Sequence, residues 1–284
     1  MASLLACVID VLFPVPFFAV SIFYFAVAFV KNPLLPLTNF ASFKEKAFAG
    51  LWLTLGGISA DQTPAELDGL LASSKGLILD VGPGSGDQLR RFSNPQNITA
   101  IYGVEPGVTM HDKLRESARK AGLGDDKYRI IGGTADLESI VPALVKDGLV
   151  KTGETGGPAA AEEDDLAIFD EIVCVRVLCG VPDQEASVAD LYALLKPGGR
   201  FVLCEHVLNG HSWAADQAQK FWMAVGWQAL MGGCDLRRDT VQTFLNVAKE
   251  KDGGFAKVEM NQVDAHSMLT HVVGVLTKKQ KKKR

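Results

Sequence analysis

From residue 77 onward, short apolar runs alternate with longer stretches of helical spacing: LILDVG, ITAIYGVEP, YRIIGGTAD, EIVCVRVLCGV and RFVLCEHV. That alternation predicts βαβ units and a parallel sheet. Two further runs, FAKVEMNQV and HVVGVLT, follow each other closely and predict an antiparallel sixth and seventh strand at the sheet edge. Between the fifth strand and these two, SWAADQAQKFWMAVGWQALMGG reads as a helix capped by Ser212. Residues 148–165 carry Gly, Pro, Ala and acid without periodicity and are expected to form a flexible insert before the fourth strand, itself read from Phe169 to Cys179. Ahead of the sheet, residues 31–75 have apolar positions at helical spacing, a helical lead-in.

The first thirty residues follow a different pattern. Val11 to Val30 hold no charge, and about twenty apolar residues match the length a helix needs to span a bilayer. Residues 1–30 are therefore read as a membrane anchor, with a spanning helix as the expectation. Pro14 and Pro16 leave room for a hairpin or monotopic insertion instead. Lys31, Lys44 and Lys46 follow the run and place the remaining chain on the cytosolic side.

Charge changes the picture at one end. The net charge is −4, but six cations at 278–284 leave the rest of the chain at −10, and an acidic body argues against a nucleic-acid partner. The basic tail, 279–284, reads as a solvated end, a contact for anionic lipid or a retrieval signal of the endoplasmic reticulum. Five cysteines without CxxC pairing read as buried thiols in a reducing compartment, and no metal is expected. The sequon Asn97-Ile98-Thr99 is expected to be unused.

The strongest local signal is a strand ending in Asp80 that runs into Gly82-Pro83-Gly84-Ser85-Gly86-Asp87. Glycines at 82, 84 and 86 let the backbone pass close to a ligand. The third spacing of a dinucleotide fingerprint fails at Asp87, and an acid there disfavours a pyrophosphate. The second strand ends in Glu105, which can accept both hydroxyl hydrogens of a ribose. The third ends in Asp136, placed to accept from an adenine amino group, with Ala135 and Leu137 to flank the ring. Leu194 to Phe201 reads as helix, tight turn and buried strand.

In this order the features resemble the class I methyltransferases that use S-adenosylmethionine, over residues 76–278. The resemblance implies an α/β fold with a seven-stranded, mostly parallel sheet, helices on both faces, and a hydrophobic helix ahead of it. It implies S-adenosylmethionine as cofactor, held by Asp80, Gly82, Gly84, Gly86, Glu105, Asp136, Leu137 and Arg176. A closer likeness lies in Val177-Leu178-Cys179-Gly180-Val181, Glu205-His206-Val207, Trp213 and Gly232-Gly233-Cys234-Asp235-Leu236 with Arg238 and Thr240. These are similar to the membrane-associated thiol methyltransferases of the methyltransferase-like seven family. That likeness implies a small, hydrophobic acceptor, thiol methylation, and residence at the endoplasmic reticulum or lipid droplets. An N- or O-methyltransferase of a natural-product pathway, and a tethered protein without catalysis, remain open alternatives.

Methyl transfer needs positioning and exclusion of water, and a thiol acceptor must lose its proton. His206 and Glu205 are the candidate bases, each equally readable as structural. His211, Trp213 and Trp222 are candidates for the acceptor pocket. Phe221 and Trp227 can join its wall or lie in the core, and Phe43, Phe48 and Trp52 can form a lid.

Overall fold

The computed structural model describes residues 11, 12, 14–151 and 163–281. Cys7, most of the acidic insert and the last three residues of the basic tail lie outside the described residues. Seven strands form one sheet: β1 (Gly76–Val81), β2 (Ile98–Val104), β3 (Tyr128–Ile131), β4 (Phe169–Val175), β5 (Leu195–His206), β6 (Lys257–Val263) and β7 (His271–Thr277). Their order is β3-β2-β1-β4-β5-β7-β6, with only β7 antiparallel to both of its neighbours.

The inner strands are apolar without alternation because helices cover both faces. Leu79, Ile172 and Leu203 pack on one side against α5 (Leu137–Lys146), α6 (Gln184–Leu194) and α8 (Thr240–Asp252). Ile78, Ile101 and Val202 pack on the other against α3 (Glu66–Ala72) and α4 (His111–Lys120). Helix starts are fixed by side chains that satisfy otherwise orphaned N–H groups. Asp136 caps α5, Asp183 caps α6, and Ser212 caps α7 (Trp213–Ala224), as its sequence predicts.

Two expectations need correction. The fourth strand stops at Val175 rather than reaching Cys179. Arg176 turns into the left-handed region (φ 55°), and the N–H groups of Val177 and Leu178 leave the ladder to bond the Glu205 carboxylate at 3.0 and 3.1 Å.

The expected transmembrane helix is the second correction. The apolar run forms α1 (Val15–Lys31), a helix of 17 residues. At 1.5 Å per residue its length is about 25 Å, short of the ~30 Å hydrocarbon core. Among the described residues no helix is long and apolar enough to cross a membrane. Part of α1 is tied to the domain instead. The Ser21 hydroxyl donates to the Leu230 carbonyl (2.8 Å), and the Phe18 ring lies 4.9 Å from that of Trp222. The Trp222 indole N–H in turn donates to the carbonyl of Val11 at 3.0 Å. The lead-in is helical as expected: α2 (Phe40–Asp61), capped by Asn39, lies beside α1 with the Tyr24 ring directly over Gly50.

Candidate active site

The carboxyl ends of β1, β2 and β4 meet at the glycine turn. Gly82 and Gly84 both have positive φ, 62° and 58°. A Cβ at Gly82 would stand 2.3 Å from a Val177 methyl, and one at Gly84 would stand 2.6 Å from the Trp52 indole nitrogen. Neither position tolerates a side chain. Gly86 serves packing, since a Cβ there would meet Ser117 and Leu114 of α4.

Glu105 is almost fully buried, and burial pushes its carboxyl above the usual range. It accepts the Gly84 N–H at 2.9 Å and the Gly107 N–H at 2.7 Å. Each oxygen retains a lone pair for a hydroxyl donor. Asp136 accepts the Ser139 N–H at 2.8 Å and the Thr134 hydroxyl. Burial pushes its carboxyl up, but those donors outweigh it and hold the group below the usual range.

Asp80 sits beneath this floor, its carboxyl pushed up to about 7 chiefly by burial, with the Tyr128 hydroxyl donating to it at 2.9 Å. An acid raised in the folded state contributes stability that is lost as pH climbs from the unfolded carboxylate range to the folded value. The stability of Asp80→Asn relative to wild type is therefore expected to improve steadily from pH 4 to pH 8. The buried His271, pushed down to about 3 mainly by burial, drives the opposite trend in both proteins, so the difference isolates Asp80. Parallel melting-temperature profiles for the two proteins would contradict the assignment.

A cavity of about 680 Å³ opens from this floor, inside the ~300–1,000 Å³ range of ligand sites. Gly82, Gly84, Glu105, Asp136 and Arg176 line it at one end. The Arg176 guanidinium donates to the Ser59 carbonyl and hydroxyl at 2.9 and 2.6 Å, while its buried Nε has no partner among the described residues. Phe48, Trp52 and Leu55 of α2 line the same cavity, so the lead-in helix covers it. Phe17, Trp227 and Met231 make the far end apolar, where Cys179, Cys234, His206 and His271 also reach the wall.

Asp80, Gly86, Leu137 and Glu205 stand outside the cavity wall, and the Leu137 N–H is taken by Asp190 at 3.1 Å. The three expected acceptor-pocket residues are not brought to the cavity. His211 is exposed, Trp213 is 79% exposed, and Trp222, on α7, is buried against α1. The register of two late strands places His271 opposite His206, with ring centroids 4.5 Å apart. Burial, then His271 and Arg176, drive the His206 imidazole well below its usual range. The ring is neutral near pH 7 and a weaker base than the sequence alone suggests. Glu205 is fully buried and bonds the backbone of the loop after β4, so it holds that loop rather than facing an acceptor. Sequence reasoning missed Phe17, Met231 and His271; the two histidines at the ends of neighbouring apolar runs were the only signal for the last.

Residues 61–241 match the family described as Methyltransferase domain. The chain is 31% identical over 100 residues to human thiol S-methyltransferase TMT1A, a match covering 34% of this chain and 36% of the human protein. It is 24% identical over 137 residues to the sterol 24-C-methyltransferase of Eremothecium gossypii, covering 48% of this chain and 30% of that enzyme. The matches thus span about a third of the length of these curated relatives. An O-methyltransferase family protein from Burkholderia thailandensis shares the fold, with a TM-score of 0.53 at 12% identity over 85% of this chain and 61% of that one. A family match over most of the chain, a sheet that reverses at its last strands, and a glycine floor beside a buried carboxylate agree: this chain belongs to the methyltransferase-domain family, with S-adenosylmethionine as its cofactor.

Proposed function

We propose that this methyltransferase transfers methyl to the sulfur of a small, hydrophobic thiol. The observation that carries the reading is the cavity itself, whose polar end fits the cofactor and whose other end is apolar and edged with soft side chains. The 31% identity to a thiol S-methyltransferase supports it. When bound, S-adenosylmethionine supplies an electrophilic methyl on a sulfonium, and displacement by the acceptor leaves the neutral thioether S-adenosylhomocysteine.

The chain's own residues position and enclose. Gly82 and Gly84 allow close approach, Glu105 accepts the ribose hydroxyls, Asp136 accepts from the adenine amino group, and Arg176 Nε meets the carboxylate of the methionine part. Phe48, Trp52 and Trp227 exclude water, which lets orientation do most of the catalytic work. The purified protein is expected to methylate short-chain alkyl and aryl thiols in a mass-spectrometric assay, and not amines or phenols of the same shape. Turnover confined to amines or phenols would overturn the thiol assignment in favour of N- or O-methylation.

We also propose that the enzyme rests on a bilayer or droplet surface, at the endoplasmic reticulum or lipid droplets with its catalytic domain cytosolic. Ile22, Phe23, Phe29, Val30, Leu34 and Leu37 are large, apolar and exposed along α1 and through the short helix Leu35–Thr38 that follows it, and no acid occurs from Val11 to Lys44. A face of that kind suits insertion in the plane of the interface rather than across it. The protein is expected to float with phosphatidylcholine vesicles, and the Phe23→Glu, Phe29→Glu, Leu37→Glu triple variant to stay in the soluble fraction. Equal flotation of the two would contradict this attachment.

A further inference from the structure

We propose that Cys179, His206 and Cys234 form a Cys2His site for one Zn²⁺ ion, with its fourth coordination position open to the cavity for the acceptor's sulfur. The role of the fourth position rests on the thiol reading; the metal site itself does not.

The three donors come from separate parts of the chain: the loop after β4, the end of β5 and the loop after the one-turn helix Trp227–Leu230. Their Sγ and imidazole nitrogen atoms all lie within 4.8 Å of one another, and Cys234 Sγ stands 3.9 Å from His206 Nδ1. Zinc holds sulfur at ~2.3 Å and imidazole nitrogen at ~2.0–2.1 Å in a tetrahedron, so its donors stand about 3.5–3.8 Å apart. Closing the present set needs about 1.3 Å or less in each pair.

The backbone frame is already built without using these side chains. The Asp235 N–H donates to the Cys179 carbonyl at 2.8 Å, and the Arg238 guanidinium donates to the Leu178 carbonyl at 2.6 Å. Gly180 and Gly233 bring the two cysteine loops together so closely that a Cβ at Gly233 would meet the Gly180 carbonyl oxygen at 2.9 Å. The Glu205 carboxylate fixes the same loop from beneath.

Two thiolates and one imidazole are the donor types that select zinc, and three protein ligands rather than four mark a site with a free position. All three donors line the acceptor end of the cavity. A thiol entering that position binds as thiolate, its proton passing to solvent. The acceptor's sulfur then forms its bond to methyl as the methyl–sulfonium bond breaks, the electron pair staying on the cofactor's sulfur. The resulting neutral thioether no longer carries the charge that held it on the metal. This arrangement supplies thiol activation without a general base.

The test uses the full chain, purified under reducing conditions, stripped with a chelator and titrated with Co²⁺ in the absence of S-adenosylmethionine. One equivalent is expected to bind with tetrahedral d–d bands and a near-ultraviolet thiolate charge-transfer band, and one equivalent of Zn²⁺ to displace it. Cys179→Ser and Cys234→Ser are each expected to lose about half of the charge-transfer intensity, since each removes one of two sulfur ligands. Circular dichroism checks that the variants are folded. A small alkyl thiol is expected to raise the band by about half, as a third sulfur joins two, and the matching alcohol to leave it unchanged. Absence of these bands, or a mass two hydrogens lower that reveals a Cys179–Cys234 disulfide in the reduced preparation, would overturn the site. Failure of thiol turnover with the cobalt spectrum intact would count against the thiol reading alone. Undiminished thiol turnover by the Cys179→Ser, Cys234→Ser double variant would count against the metal alone.

Discussion

Valine in place of Gly84 is expected to weaken S-adenosylhomocysteine binding by at least roughly 100-fold, equivalent to about 2.8 kcal/mol, in titration calorimetry. Three effects act together. Gly84 has φ 58°, a left-handed conformation that costs a residue with a Cβ about 1–2 kcal/mol and a β-branched residue more. The new Cβ would press on the Trp52 indole, whose ring is already stacked on Phe48 and faces the Arg176 guanidinium at 5.7 Å. Any shift of the loop to relieve that contact withdraws the Gly84 N–H from Glu105, loosening the carboxylate proposed to receive the ribose. The strain falls in the turn after β1 rather than within a strand, so the sheet is expected to remain folded. Near-normal affinity in folded Gly84→Val would contradict the placement of the cofactor.

Glu205→Ala is expected to lower stability by about 3–5 kcal/mol, read as a shift of the denaturant midpoint. The deleted carboxylate is fully buried and serves the N–H groups of Val177 and Leu178, and each buried donor left without a partner costs about 1–3 kcal/mol. Its removal also leaves a void under the loop that carries Cys179. The folded Glu205 carboxyl is pushed up to about 7 by burial, against the donation of those N–H groups, so Glu205→Gln, which keeps an acceptor oxygen, is expected to lose much less. A small loss for alanine with a large loss of turnover would mean that Glu205 acts on the acceptor after all.

Much of the proposed cofactor end was legible because it depends on local backbone chemistry. A strand, three glycines that need positive φ or close packing, and acids at successive strand ends occur in order along the chain, and Gly82, Gly84, Glu105, Asp136 and Arg176 meet in one cavity. The acceptor end was not, because it depends on long-range packing. Trp213 and Trp222 look alike in sequence, yet one is exposed and the other buried under α1. His271 joins His206 only through the antiparallel register of β7 on β5. The apolar run at 11–30 carried a real length signal, but periodicity cannot tell a lipid-facing helix from one partly bound to its own domain. Ser21 is buried and bonds the Leu230 carbonyl, a contact that no local pattern reveals.

One cavity is proposed to hold the cofactor at its polar end and a hydrophobic thiol at its apolar end. The most direct test is a calorimetric titration of the full chain with S-adenosylhomocysteine, repeated with a short alkyl thiol already present. Saturable one-to-one binding of S-adenosylhomocysteine is expected in both titrations, with the thiol still bound in the second. Failure of S-adenosylhomocysteine to bind, or its displacement by the thiol from a single shared position, would contradict this arrangement.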